Sequence, residues 1–137
     1  MEETRYGMRV ELSVAYEDAV ERATAALKTE GFGVLTTIDV KQTIKQKLDR
    51  DFRKYVILGA CNPPIAFQAL SAEIDLGLLL PCNLIVYETD PGRSVVAAVA
   101  PLVTMGHVGN EALAPLGQQV DAKLRRVLAT LETGASR

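Results

Sequence analysis

Two kinds of apolar pattern follow each other along this chain, and their order admits few folds. Apolar and polar residues alternate through residues 6–12 and again through residues 32–40, as in half-buried strands. The intervening segment has apolar residues at helical spacing: Tyr16, Ala19, Val20, Ala23 and Leu27. We expect Ser13 to cap this helix and Gly31 to end it. The second strand should place one set of residues on a single side: Phe32, Val34, Thr36, Ile38 and Val40.

The middle of the chain predicts two more strands and two short helices. A short helix follows the second strand, with Asp39 as its predicted N-cap, and the apolar run at residues 55–60 is typical of a central strand. Asn62 is the predicted N-cap of a second short helix, because Pro63 and Pro64 suit a first helical turn. A fourth strand is predicted at residues 82–88.

The C-terminal part predicts a hairpin and a long helix. The turn sequence at residues 89–92 joins the fourth strand to a fifth at residues 94–99, and residues 101–110 are predicted to form a loop. The last helix begins near Pro115, and its apolar stripe is Leu116, Val120, Leu124, Val127, Leu128 and Leu131. One sheet covered by helices on one side accommodates this order, which predicts an α+β two-layer sandwich.

Size and composition limit the class of protein. With 137 residues, 48% of them hydrophobic, the chain is predicted to form one domain over residues 1–137, with a frayed tail at 133–137. No apolar run approaches the ~20 residues of a membrane span, and the first residues are acidic, unlike a secretory signal. We therefore expect a cytoplasmic protein with no membrane partner, in which both cysteines stay reduced.

The charge balance argues against nucleic acid as a partner. Lys and Arg number 15 and Asp and Glu number 17, giving a net charge of −2. Residues 41–54 are locally basic, but aromatic residues are not interleaved there and no Gly-rich turn is present. This segment is predicted to be a solvated surface.

Three segments resemble a known protein family. The segments are residues 30–36 (EGFGVLT), 58–63 (LGACNP) and 77–83 (GLLLPCN), and they resemble the prokaryotic domain-of-unknown-function family 302 over about residues 6–131. The resemblance implies a β-α-β₄-α core of the TATA-box-binding-protein-like type, with a mainly antiparallel sheet and short helices inserted after strands 2 and 3. It also implies homodimers. It implies no activity, and it leaves the cofactor unknown.

Residues with reactive or polar side chains are predicted to meet at one sheet edge. If the third, fourth and fifth strands are antiparallel neighbours, the end of the third, the start of the fourth and the end of the fifth share that edge. The edge then gathers a set of candidate ligand-binding residues: Cys61, Asn62, Pro63, Pro81, Cys82, Asn83, Met105 and His107. Loops at a common sheet edge commonly form binding sites.

Several interpretations of this edge are open. The leading one is a small-molecule-binding or sensor site, in which Asn62, Asn83 and free helix N–H groups hold the ligand. The second is a thiol-dependent redox enzyme with Cys61 as the activated thiol and Cys82 as its resolving partner. The third is a soft-metal site for copper or zinc, formed by Cys61, Cys82 and His107 with Met105.

A purely structural interpretation also stands. Free cysteines often pack as small hydrophobic residues, and Asn62 and Asn83 can serve only as a helix cap and a turn residue.

Overall fold

The computed structural model describes residues 1–134 and consists of one antiparallel sheet with helices packed against it. The strands are β1 (Glu2–Glu3), β2 (Gly7–Leu12), β3 (Gly33–Asp39), β4 (Tyr55–Cys61), β5 (Cys82–Asp90) and β6 (Arg93–Val99). The helices are α1 (Tyr16–Thr29), α2 (Val40–Leu48), α3 (Pro63–Ala72), α4 (Pro101–Gly106) and α5 (Ala114–Gly134), with 3₁₀ helices at Ile74–Leu79 and Glu111–Leu113. The α+β class is confirmed, as is the relative order of the five predicted strands and four predicted helices, while β1 and α4 were not predicted.

The strand order brings together the three strand ends that the sequence predicted to lie at one edge. The sheet runs β1-β2-β6-β5-β4-β3, and every neighbouring pair is antiparallel. β4, β5 and β6 are therefore consecutive neighbours, so the end of β4, the start of β5 and the end of β6 lie at the same edge.

The core lies between one face of the sheet and the helices α1, α3 and α5. Alternate strand residues such as Val10, Leu58 and Leu84 point into it and are almost fully buried. The apolar stripe predicted for the last helix is buried there along its whole length. Although α5 has 21 residues, neither it nor any other helix within residues 1–134 is both long and apolar enough to cross a membrane.

The second predicted strand differs from its expected pattern. The pairing of β3 with β4 shifts between Val34 and Thr36, so Leu35 bulges out of the ladder. Val34 pairs with the core-facing Ala60, whereas Thr36 pairs with Gly59 on the opposite face. The prediction that every second residue from Phe32 to Val40 lies on one side was wrong, because one extra residue in a strand reverses the facing of those after it.

Helix ends confirm two predicted caps and correct one. The Asp39 side chain accepts a hydrogen bond from Gln42 N–H, and the Asn62 side chain accepts one from Ile65 N–H. Ser13 does not cap α1, which starts after Ala15 without a side-chain cap.

The segment after β6 was wrongly predicted to be a loop, since α4 occupies most of it. The expected fraying at residues 133–137 lies partly outside the described residues, and residues 133–134 belong to α5.

Candidate functional site

A cavity of about 250 Å³ opens at the edge where β4 ends and β5 begins. Its walls are mainly apolar side chains from β3 and its flanks, from α3 and from α5, among them Phe32, Leu35, Ile65, Ala69, Leu70 and Val120. Two of its wall residues are exposed, Leu35 (66%) and Gly77, so the cavity can be reached from solvent. An apolar cavity of this kind suits an apolar guest better than water.

Both cysteines border this cavity. Cys61 is the last residue of β4 and Cys82 is the first residue of β5. Ala60 is the cross-strand partner of Cys82, so Cys61 lies one residue beyond that pair on the adjacent strand. Cys82 is buried and Cys61 is half-buried. The antiparallel pairing of β4 and β5 thus brings residues from two remote segments to the same cavity.

The surroundings of Cys82 keep its thiol neutral. Burial is the larger cause, and repulsion from a charged Cys61 the smaller, of the rise in the pKa of the Cys82 thiol to about 11. Since the thiolate is the reactive form, a pKa this high makes Cys82 a poor nucleophile and a poor metal ligand near neutral pH. Its neutral thiol instead extends the apolar wall of the cavity.

The Asn62 amide has hydrogen-bond partners within the fold. Its Oδ1 accepts from Ile65 N–H, and its Nδ2 donates to the Glu30 carbonyl oxygen. Nδ2 also lies beside Gly31, which has a φ of 83° and where an added Cβ would come within 3.0 Å of it. Asn62 therefore ties the start of α3 to the turn before β3, and the same residue forms part of the cavity wall.

The structure separates the predicted site residues into two groups. Cys61, Asn62, Pro81, Cys82 and Met105 all border the cavity. The three others do not, and all are exposed: Pro63, Asn83 and His107. Asn83 directly follows the inward-facing Cys82, so the alternation of the strand turns its side chain to the opposite face. The ligand-binding role of the first group stays a prediction.

The predicted soft-metal set is not assembled. His107 follows the last residue of α4 and does not border the cavity that Cys61 and Cys82 line. Over residues 1–134, no three His, Cys, Asp or Glu side chains are grouped closely enough to hold a metal ion.

Several wall residues did not stand out in the sequence. Ala66 and Ala69 occupy the inner side of α3, where their small side chains leave the space that the cavity fills. Leu35 reaches the rim only because β3 bulges there. The available signal was an apolar residue, Leu35, at a position of the alternating strand pattern predicted to face outward. This signal becomes informative only once the pairing of β3 with β4 is known.

Comparison with known proteins identifies the family. A family model described as "Domain of unknown function DUF302" matches residues 8–131. The chain belongs to the DUF302 family. A crystal structure of an uncharacterised conserved DUF302 protein from Bacillus stearothermophilus is similar to it, with a TM-score of 0.85 and 29% sequence identity over 93% of this chain and 99% of the other.

The family membership fixes the architecture of this DUF302 domain and leaves its activity open. Among curated proteins, none matches the chain. The likeness to the TATA-box-binding-protein type of fold stays a prediction.

Proposed function

We propose that this DUF302 domain is a binding or sensor module that holds a small, largely apolar molecule in the cavity beside Cys61 and Cys82. The observation behind the proposal is an apolar cavity of about 250 Å³ that is open to solvent and has the exposed residues Leu35 and Gly77 in its wall. Ligand pockets for drug-sized molecules span roughly 300–1,000 Å³, so a smaller guest fits here. An apolar cavity of about 150 Å³ is already enough to bind benzene in a well-studied protein.

The side chains around the cavity favour binding over thiol chemistry. Cys82 stays protonated because its pKa is about 11, and the Asn62 amide is already hydrogen-bonded within the fold. Recognition then depends on shape and on apolar contact, at about 25 cal/mol for each Å² of apolar surface removed from water.

Filling the cavity is expected to weaken the binding of a guest strongly. Ala69→Leu adds a branched side chain to a buried wall residue of α3. Affinity for hexanol should fall by about tenfold or more, because the leucine side chain and hexanol compete for the same space. Binding is measured by chemical-shift titration of the amide resonances. Ala72→Leu provides the matched control, since Ala72 is exposed at the end of the same helix and outside the cavity.

A second cavity-filling variant guards against loss of folding. Ala66 also lines the cavity but is only half-buried, so Ala66→Leu disturbs the core less. If both filled variants remain folded and bind hexanol as tightly as the wild type does, the proposed site is wrong.

We also propose that the domain pairs with a second copy of itself along β3. This strand pairs only with β4, so its outer backbone groups are unpartnered within the described sheet, and Ile38 is 47% exposed beside them. Exposed edges of this kind are commonly covered by another strand. Light scattering at micromolar concentration should therefore give about twice the mass of one chain, and Ile38→Lys should reduce it to one chain. A wild-type mass near 14.8 kDa would contradict the pairing.

We propose that the protein resides in the cytoplasm, where a reducing environment keeps thiols such as those of Cys61 and Cys82 out of disulfide bonds.

A further inference from the structure

A second cavity, of about 360 Å³, shares the wall residue Met105 with the first. It is enclosed by α4, by the segment after it and by the start of α5, and its walls include Pro101, Gly109, Glu111 and Gly117. Among residues 1–134, Met105 alone borders both cavities. The Met105 side chain therefore belongs to the walls of both cavities.

Met105 is suited to act as a movable partition. It is 8% exposed, and a methionine side chain has three rotatable bonds and adapts readily to irregular gaps. The opposing residue on α5 is Gly117, where an added Cβ would lie 3.5 Å from the Met105 Sδ. Because glycine occupies this helical position, space remains beside the thioether into which it can turn.

The two segments that supply most of the second cavity and part of the first carry charges of one sign. Residues 63–79 and 101–113, which supply α3, α4 and both 3₁₀ helices, contain three carboxylates and no Lys or Arg: Glu73, Asp75 and Glu111. Glu73 accepts a hydrogen bond from Asn110 Nδ2, so that carboxylate is already engaged. Glu111 borders the second cavity and is exposed. A positively charged group entering there meets an attractive field, and an anion meets a repulsive one.

We propose that the two cavities form one binding site for a linear amphiphile with an alkyl chain and a cationic amine head. The chain fills the first cavity and passes Met105, which turns aside, and the ammonium group lies in the second cavity near Glu111. This inference rests on the proposed ligand-binding function and specifies the ligand class for that function.

A series of primary n-alkylamines, titrated calorimetrically into the full chain, tests the inference. Each methylene group that moves from water into apolar surroundings tightens binding about threefold to fourfold. In the wild type, this gain should fall at the chain length that meets Met105, because the side chain must then be displaced. Met105→Ala should remove that break and tighten the longest amines by about tenfold relative to the wild type.

Three further variants separate the parts of the inference. Val103→Ala alters α4 at a residue that borders neither cavity and should behave as the wild type. Gly117→Ala keeps an ordinary contact with Met105 but takes space from the second cavity, so it should weaken long amines and leave short ones unchanged. Glu111→Gln should weaken the long amines, whose ammonium group reaches the second cavity, about twofold to threefold and leave alkanols of equal length unaffected.

The outcomes distinguish failure of this inference from failure of the proposed function. If hexanol and short amines bind but Met105→Ala and Gly117→Ala leave the chain-length profile unchanged, the second cavity is not part of the site. If alkyl carboxylates bind as tightly as amines, or Glu111→Gln weakens alkanols equally, the assignment of a cationic head is overturned. If neither alkanols nor amines bind at any length, the proposed function itself fails.

Discussion

Gly59→Ala is expected to destabilise the fold by about 1–3 kcal/mol, although it adds a single methyl group. A Cβ atom at position 59 would lie 2.2 Å from the Thr36 Oγ1 and 2.7 Å from the Pro81 Cγ. The threonine hydroxyl can turn to another rotamer, but the proline ring is rigid and has little freedom to retreat. Pro81 also borders the cavity next to Cys82, so the displacement would reach the candidate site.

Gly33→Ala is the matched control for this substitution. Gly33 lies on the neighbouring strand β3, and a Cβ added there meets nothing within 4 Å. Its effect should stay within about 0.5 kcal/mol, as for other exposed substitutions. Urea denaturation of both variants measures the difference, and equal midpoints would show that the strands adjust without cost.

A double variant identifies the source of the strain. Combining Gly59→Ala with Thr36→Ala removes the hydroxyl contact and leaves the proline contact. Part of the lost stability should therefore return, and the remainder measures the contribution of Pro81. Complete recovery would assign the whole effect to Thr36.

The parts of the fold that were predictable have strong local signals. The last helix has an apolar stripe about four turns long, and Asp39 and Asn62 stand at helix starts where their side chains can accept backbone hydrogen bonds. α4 was missed because six residues are too few to show a helical period. The bulge at Leu35 was missed because it depends on pairing with β4, which is a long-range property.

The candidate site was predictable to the extent that topology determines it. Cys61 and Cys82 border one cavity because their strands run antiparallel as neighbours, and the sequence order indicated that arrangement. The position of Asn83 was not predictable, since one step along a strand reverses the direction of a side chain. The apolar walls were not predictable either, because Ala66 and Ala69 have the same pattern as residues of a filled core.

The stability of the domain is expected to fall by roughly 2–3 kcal/mol between about pH 9 and pH 11 because of Cys82 alone. In the folded chain the thiol has a pKa of about 11, against an ordinary value of 9.0. The unfolded chain therefore loses this proton at a lower pH than the folded chain does. The contribution is complete below the unfolded-state pKa and is lost as the pH rises through the folded-state pKa.

Other groups titrate over the same range, so the effect must be measured as a difference. Burial raises the pKa of Tyr16 and of Tyr55, and these tyrosines are present in the wild type and in Cys82→Ala alike. Urea denaturation of both proteins from pH 8 to pH 11 should show the wild type losing more stability than the variant. Cys61→Ala should retain most of the pH dependence, because burial is the larger cause of the Cys82 shift and repulsion by Cys61 the smaller.

Alkylation provides an independent measurement of the same pKa. Since iodoacetamide reacts with the thiolate, the rate at Cys82 in Cys61→Ala should stay low at pH 8 and rise until the pH nears 11. A cavity that admits apolar guests admits the reagent too, so a rate that is low at pH 8 and rises with pH reflects a protonated thiol rather than a blocked one. An excess of urea should restore the ordinary rate. A rate at Cys82 in the folded protein that levels off near pH 9, together with a constant stability difference between wild type and Cys82→Ala, would show that the thiol is solvated. The apolar character assigned to that wall of the cavity would then be wrong.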